Sequence, residues 1–198
     1  MLLTLPATVA MLVIPMPIIS TIFERGEFNA ESTRQTAAAL AGFAIGLPGY
    51  VLVRVLQPGY FAREDTKRPM IMALITVAVN IACSLALFPL LGHVGIAVAT
   101  AISAWVNVAL LVLGLRGFWK PDRRTLLRLP RMLLAAMIMG AALVGLHHLT
   151  GNWFEEGTLQ RILGLGLLII TGTIVYFIAA IALKATSIRA IKTGLTGR

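Results

Sequence analysis

The sequence predicts an all-α, polytopic membrane helix bundle, and three observations carry that reading. Of its 198 residues, 58% are hydrophobic and only 13% are charged, where a soluble domain carries about a quarter. Mean hydropathy is +0.88. The apolar residues fall in six runs, at about 2–23, 35–57, 70–91, 94–115, 130–149 and 159–183, each close to the roughly 20 residues that cross a hydrocarbon layer of about 30 Å. In lipid only helices and closed barrels satisfy the backbone, and a barrel would show shorter alternating segments between turns. Six transmembrane helices are therefore expected.

The first run lacks a basic leader and stays apolar to Phe23, longer than the core of a signal peptide, so it reads as a spanning helix. Its "IPMPI" places Pro15 and Pro17 near mid-membrane, and each removes a backbone donor and clashes with the preceding turn. The second run carries Gly46, Pro48 and Gly49 in "GLPGYVLVR", and both helices are expected to bend or break. Gly42 and Gly46 form a G-x-x-x-G step that allows close helix contact. Arg54 is the only basic residue well inside a run, where a charge costs at least about 2.5 to 3.5 kcal/mol. Two readings stand for it: it faces a cavity or an acidic partner, or it snorkels to the nearby interface.

The third and fourth runs are joined by the tight "GHVG" at 92–95 and should be antiparallel neighbours. Thr76, Asn80 and Ser84 share a face of the third; Thr100, Ser103 and Asn107 form a stripe on the fourth. Asn80, Ser84 and Thr100 are thus either part of an oxygen-lined cation site or an interhelical hydrogen-bonding cluster, with no carboxylate among them. The last two runs contain Gly140, Gly145, Gly164, Gly166 and Gly172, which permit close approach. Phe118, Trp119, Trp153 and Phe154 sit where interfacial rings anchor helix ends.

The connections alternate in charge. Basic residues follow the second run (Arg63, Lys67, Arg68), the fourth (Arg116, Lys120, Arg123, Arg124, Arg128, Arg131) and the sixth (Lys184, Arg189, Lys192, Arg198). The other connections hold few basic residues and several acids. The positive-inside rule then puts both termini of the segment in the cytoplasm. The formal net charge of +9 is explained by these loops, and nucleic acid is not an expected partner. Membrane lipids are. Cys83 is the only cysteine, and His93, His147 and His148 lack metal-ligand spacing to other ligands. No nucleophile has a recognisable base and no phosphate loop is present, so no catalytic residue, metal or cofactor is expected.

The charged stretch "VLQPGYFAREDTKRPMIMALITVAVN" resembles the segment joining the tenth and eleventh helices of the MurJ/MviN family, bacterial flippases for the lipid-linked peptidoglycan precursor lipid II. The family's "YAR-x-D-T-x-x-P" core is matched by Tyr60, Ala62, Arg63, Asp65, Thr66 and Pro69, with Phe61 inserted in the tyrosine-alanine step. "LPATVAMLVIPMPIISTIFERGEFNA" is similar to the ninth helix and its outer turn, and "LGHVGIAVATAISAWVNVALL" to the twelfth.

The resemblance implies a fourteen-helix transporter of the MOP superfamily, MATE-like, with two six-helix lobes and a final pair lining a lipid-facing groove. This chain would hold helices nine to fourteen: residues 1–116 as four helices of the carboxy-terminal lobe, 117–129 as a basic cytoplasmic linker, and 130–198 as the final pair with a short basic tail. It would be a piece of a longer protein, inactive without its amino-terminal lobe. The implied setting is the bacterial inner membrane, the implied substrate is lipid II, with Arg54 by its position a substrate-binding residue for the diphosphate, and an ion gradient or the membrane potential could drive the cycle. An exporter of another polyprenyl-linked saccharide and a non-transporting membrane scaffold remain open alternatives.

Overall fold

The computed structural model describes residues 1–116, 123–150 and 158–185. All regular structure among them is helical: α1 (Thr4–Val13), α2 (Pro15–Phe23), α3 (Ala30–Phe61), α4 (Lys67–Leu91), α5 (His93–Gly114), α6 (Arg123–Thr150) and α7 (Thr158–Ala182). Among the described residues five helices are long and apolar enough to cross a membrane, and six crossings result if α1 and α2 count as one bent span. Phe118, Trp119, Trp153, Phe154 and the basic tail beyond 185 lie outside the described residues.

The two proline-bearing spans behave differently. α1 and α2 meet at Ile14 with a bend of 81°, as Pro15 and Pro17 dictate, since neither can donate to the turn before it. α3 runs unbroken through Pro48 and Pro58 for 32 residues. Here an isolated proline frees one carbonyl at a time and the packed neighbour holds the helix together. α3 also begins five residues before its apolar run. Asn29 caps it by accepting from Ser32 N at 3.0 Å, and Arg34 makes a two-point ion pair with Glu31 one turn later.

By internal contacts the chain forms two compact units, Met1–Ile22 with Pro121–Arg198, and Phe23–Lys120. The first span, expected to group with residues 1–116, thus packs with the final helix pair.

In the unit of residues 23–120, α5 lies between α3 and α4. α3 and α5 run parallel along a seam of small residues. A Cβ on Gly42 would lie 3.1 Å from Ala97 Cβ, and one on Gly46 would lie 2.9 Å from Ala101 Cα. Two aromatic donors cross the seam, Trp105 Nε1 to the Ile45 carbonyl at 3.0 Å and the Tyr50 hydroxyl to the Thr100 carbonyl at 3.3 Å. The α4–α5 reversal is made at Gly92, whose φ of 58° suits glycine.

In the other unit, α1 packs on α6 and α6 on α7. Ile14, Ala135, Ala136, Met139, Leu143, Leu168 and Tyr176 form the core. The Tyr176 hydroxyl donates to the Leu2 carbonyl at 2.7 Å. This ties α7 to the start of the bent span.

Gly46→Leu should force α3 and α5 apart, with a loss on the order of 1–3 kcal/mol for overpacking. Thermal unfolding of the detergent-purified chain, followed by circular dichroism, should show a lower midpoint. Ala73→Leu, at an exposed site on α4, should leave it unchanged; equal shifts in both would count against the seam.

Candidate functional site

The signature loop begins inside the helix before it. Tyr60 is 2% exposed, and its hydroxyl donates to the Leu111 carbonyl on α5 at 2.7 Å. The same oxygen lies 3.8 Å from Met72 Sδ on α4 and against Gly114, where any Cβ would collide with it. One phenol therefore touches α4 and α5 while standing on α3.

The backbone then closes α3. Asp65 N donates to the Tyr60 carbonyl at 3.2 Å and Glu64 N to the Phe61 carbonyl at 3.0 Å, with Glu64 in the left-handed region at φ 56°. This is the Schellman arrangement with a non-glycine residue at its left-handed position. Asp65 caps α4 by accepting from Arg68 N at 3.1 Å and pairs with Arg68 Nε at 3.2 Å. Pro69 is buried in the first turn of α4, while Ala62, Arg63 and Thr66 are exposed. Every signature residue thus sits in or beside a tight helix-to-helix turn.

The polar stripes of α4 and α5 do meet. Asn80 Nδ2 donates to Thr100 Oγ1 at 3.3 Å and to Ser103 Oγ at 3.2 Å. Those hydroxyls donate in turn to carbonyls of their own helix, Thr100 to Ile96 at 2.7 Å and Ser103 to Thr100 at 2.9 Å. The amide thereby saturates both hydroxyls and bridges the helices. Ser84 is not drawn in: its Oγ is buried and has no hydrogen-bond partner among the described residues. Thr76 bonds back to the Met72 carbonyl at 2.8 Å. Among the described residues no group of three or more His, Cys, Asp or Glu is placed to hold a metal ion.

Arg54 is exposed on a flank of α3 that it shares with Phe43 and Phe61, away from the seam with α5. It makes no ion pair among the described residues. Pro58 also leaves the Arg54 carbonyl without its intrahelical donor. This residue therefore brings a guanidinium and a carbonyl freed by proline to one point on the helix surface.

A cavity of about 270 Å³ lies between the bent span and the final pair; the groove implied by the resemblance drew on the final pair alone, and the share of the bent span was missed. α1 and α2 contribute Leu3, Pro6, Ala10, Ile14 and Ile18; α6 contributes Met139 and Leu143; α7 contributes Leu168, Gly172 and Tyr176. The bend at Ile14 lets both arms of one span face it. Its only signals in the sequence were Pro15 and Pro17 and the small residues of the last two runs.

Two substitutions test these assignments. Tyr60→Phe should cost about 1–2 kcal/mol, because it strips a buried hydrogen bond without changing shape; an unchanged unfolding midpoint would show that the hydroxyl holds nothing. Asn80→Ala should cost about 0.6 to 1.7 kcal/mol, equally in sodium and potassium buffers. A loss seen in only one of the two salts would instead mark a cation site.

Comparison with known proteins gives these features a setting. The family model described as lipid II flippase MurJ matches residues 1–164. The probable lipid II flippase MurJ of Rhizobium meliloti (strain 1021) is 44% identical over 194 residues, covering 96% of this chain and 36% of its own length. That of Rhizobium tropici is 41% identical over 201 residues, covering 98% of this chain and 37% of its own. The chain thus spans little more than a third of the curated relatives it matches. A solved structure described as lipid II flippase MurJ in an inward closed conformation superposes with a TM-score of 0.72 at 26% identity, over 92% of this chain and 36% of that one. A bent span, an unbroken α3 closed by its signature turn and a final helix pair, matched along nearly the whole chain, lead to one conclusion: this chain belongs to the lipid II flippase MurJ family.

Proposed function

We propose that the chain is the carboxy-terminal part of a lipid II flippase. The intact protein would carry the undecaprenyl-diphosphate-linked peptidoglycan precursor from the inner to the outer leaflet of the bacterial cytoplasmic membrane for cell-wall synthesis. The observation that carries this reading is the family match over residues 1–164, supported by the likeness in fold over 92% of the chain. Such a protein would be a membrane transporter.

Within that reading, the cavity between α1, α2, α6 and α7 suits a polyprenyl chain, since apolar side chains predominate in its lining, with Thr173 and Tyr176 the polar exceptions. Arg54 suits the diphosphate: a guanidinium offers paired donors to phosphate oxygens. Residues 1–116 would belong to the carboxy-terminal lobe, with 130–198 as its final pair and both termini of the segment cytoplasmic, as the basic connections favour. The partner is the amino-terminal lobe, against which a central cavity must close. An ion gradient or the membrane potential would supply the drive.

The full-length gene should rescue cells depleted of their own lipid II flippase; normal membrane expression without rescue would rule the reading out. In that gene Arg54→Ala should reduce rescue more than Arg54→Lys, which retains the charge. Vesicles reconstituted with residues 1–198 alone should show no lipid II translocation.

A further inference from the structure

We infer that Tyr50 is the platform on which the sugar joined to the diphosphate of a polyprenyl-linked saccharide stacks, one helical turn from Arg54; the inference rests on the flippase reading and adds a specificity-determining residue to it. The two flanks of the α3–α5 seam differ in chemistry. On one, Ile45, Val98, Ile102 and Val106 line an apolar groove beside Trp105, whose indole N–H is turned inward to the Ile45 carbonyl. That flank suits lipid tails. On the other, the Tyr50 hydroxyl reaches the Thr100 carbonyl, and the Thr100 hydroxyl accepts from Asn80. Arg54 extends this polar flank along α3, since four residues separate it from Tyr50 by about 40° around the helix and about 6 Å along it.

Arg54 is exposed, makes no ion pair among the described residues, and stands about 10 Å from the end of α3 at Phe61. A charge at that depth needs water or an anion beside it. A ring on the same flank therefore meets a hydrated ligand and not hydrocarbon. The Tyr50 ring is also held in place. Its hydroxyl is anchored at 3.3 Å on the Thr100 carbonyl, and a Cβ on Gly46 would lie 3.2 Å from its Cε2, so the ring lies over a glycine one turn back. It remains 40% exposed. A ring fixed beforehand loses little freedom on binding, and its electron-rich face attracts the C–H bonds of a pyranose as it attracts the edge of another ring. The guanidinium takes the diphosphate, and one helical turn is within reach of a sugar bonded directly to it. A hydrocarbon tail would leave Arg54 unmatched, and a bare diphosphate would leave the ring in water. A glycosyl diphosphate satisfies both.

The test uses the full-length protein in detergent micelles, with lipid II and undecaprenyl diphosphate as separate ligands and binding followed by microscale thermophoresis. Tyr50→Leu should weaken lipid II binding about fivefold and change undecaprenyl diphosphate binding by less than about twofold, because that lipid carries no sugar. Tyr50→Phe keeps the ring and should keep most of the affinity for lipid II. Arg54→Gln should weaken both lipids alike. Trp105→Leu removes a ring from the apolar flank and should leave the ratio of the two affinities unchanged. Equal losses for both lipids in Tyr50→Leu would assign the ring to packing and overturn this inference alone, as would no loss for either. Wild-type protein that binds neither lipid would overturn the flippase reading and this inference with it.

Discussion

The close approach of α3 and α5 at Gly46 and Ala101 determines what the polar aromatic side chains of these two helices can reach. Between helices in lipid there is no hydrophobic drive, because the surrounding tails are as apolar as leucine, so association rests on dispersion at short range and on hydrogen bonds. Removing side chains from the seam brings the backbones near enough for Trp105 and Tyr50 to find carbonyls on the neighbouring helix. Tyr60 depends on the same spacing: its hydroxyl meets the Leu111 carbonyl only because α3 and α5 stay close to their ends and Gly114 leaves room for it.

The same scarcity of water governs the polar groups. Asn80 is tolerated within a span because both of its amide hydrogens find hydroxyl oxygens on α5, and each hydroxyl passes its own proton to a carbonyl. Tyr176 disposes of its hydroxyl on Leu2 in the other unit. Arg54 is the exception: it is exposed and makes no ion pair among the described residues. A charge without a partner on a membrane helix is costly unless water, a headgroup or a substrate anion reaches it.

Much of this was legible in the residues. Six apolar runs of bilayer length gave the crossings, Pro15 and Pro17 gave the bend, Gly42 and Gly46 gave a close helix contact, and the stripes at Asn80 and Thr100 met as their helical spacing required. What hydropathy could not supply was pairing. Nothing in a window of residues 2–23 says that its partners stand at 135–180, because apolar helices in lipid carry no charge or periodicity that names a neighbour. The start of α3 was missed for a related reason: Asn29, Glu31 and Arg34 stabilise helix through caps and ion pairs, which an apolar window discards. The signature loop was recognised as a family mark, yet its buried phenol could not be told from an interfacial tyrosine until Leu111 and Gly114 were seen beside it.

The bend at Ile14 bears on how the protein is made. α1 has 10 residues and α2 has 9, so each arm rises only about 15 Å, half the hydrocarbon thickness. Neither arm is long enough to cross the hydrocarbon by itself. The groups that secure the bend are distant in sequence: Tyr176 lies 174 positions from the Leu2 carbonyl it binds, and Gly140 accommodates Val9. A broken span of this kind can enter the bilayer before the last two helices are made, but it reaches its final shape only once they arrive. Until then the carbonyls freed by Pro15 and Pro17 have to find water or other parts of the chain, since lipid offers them no donor.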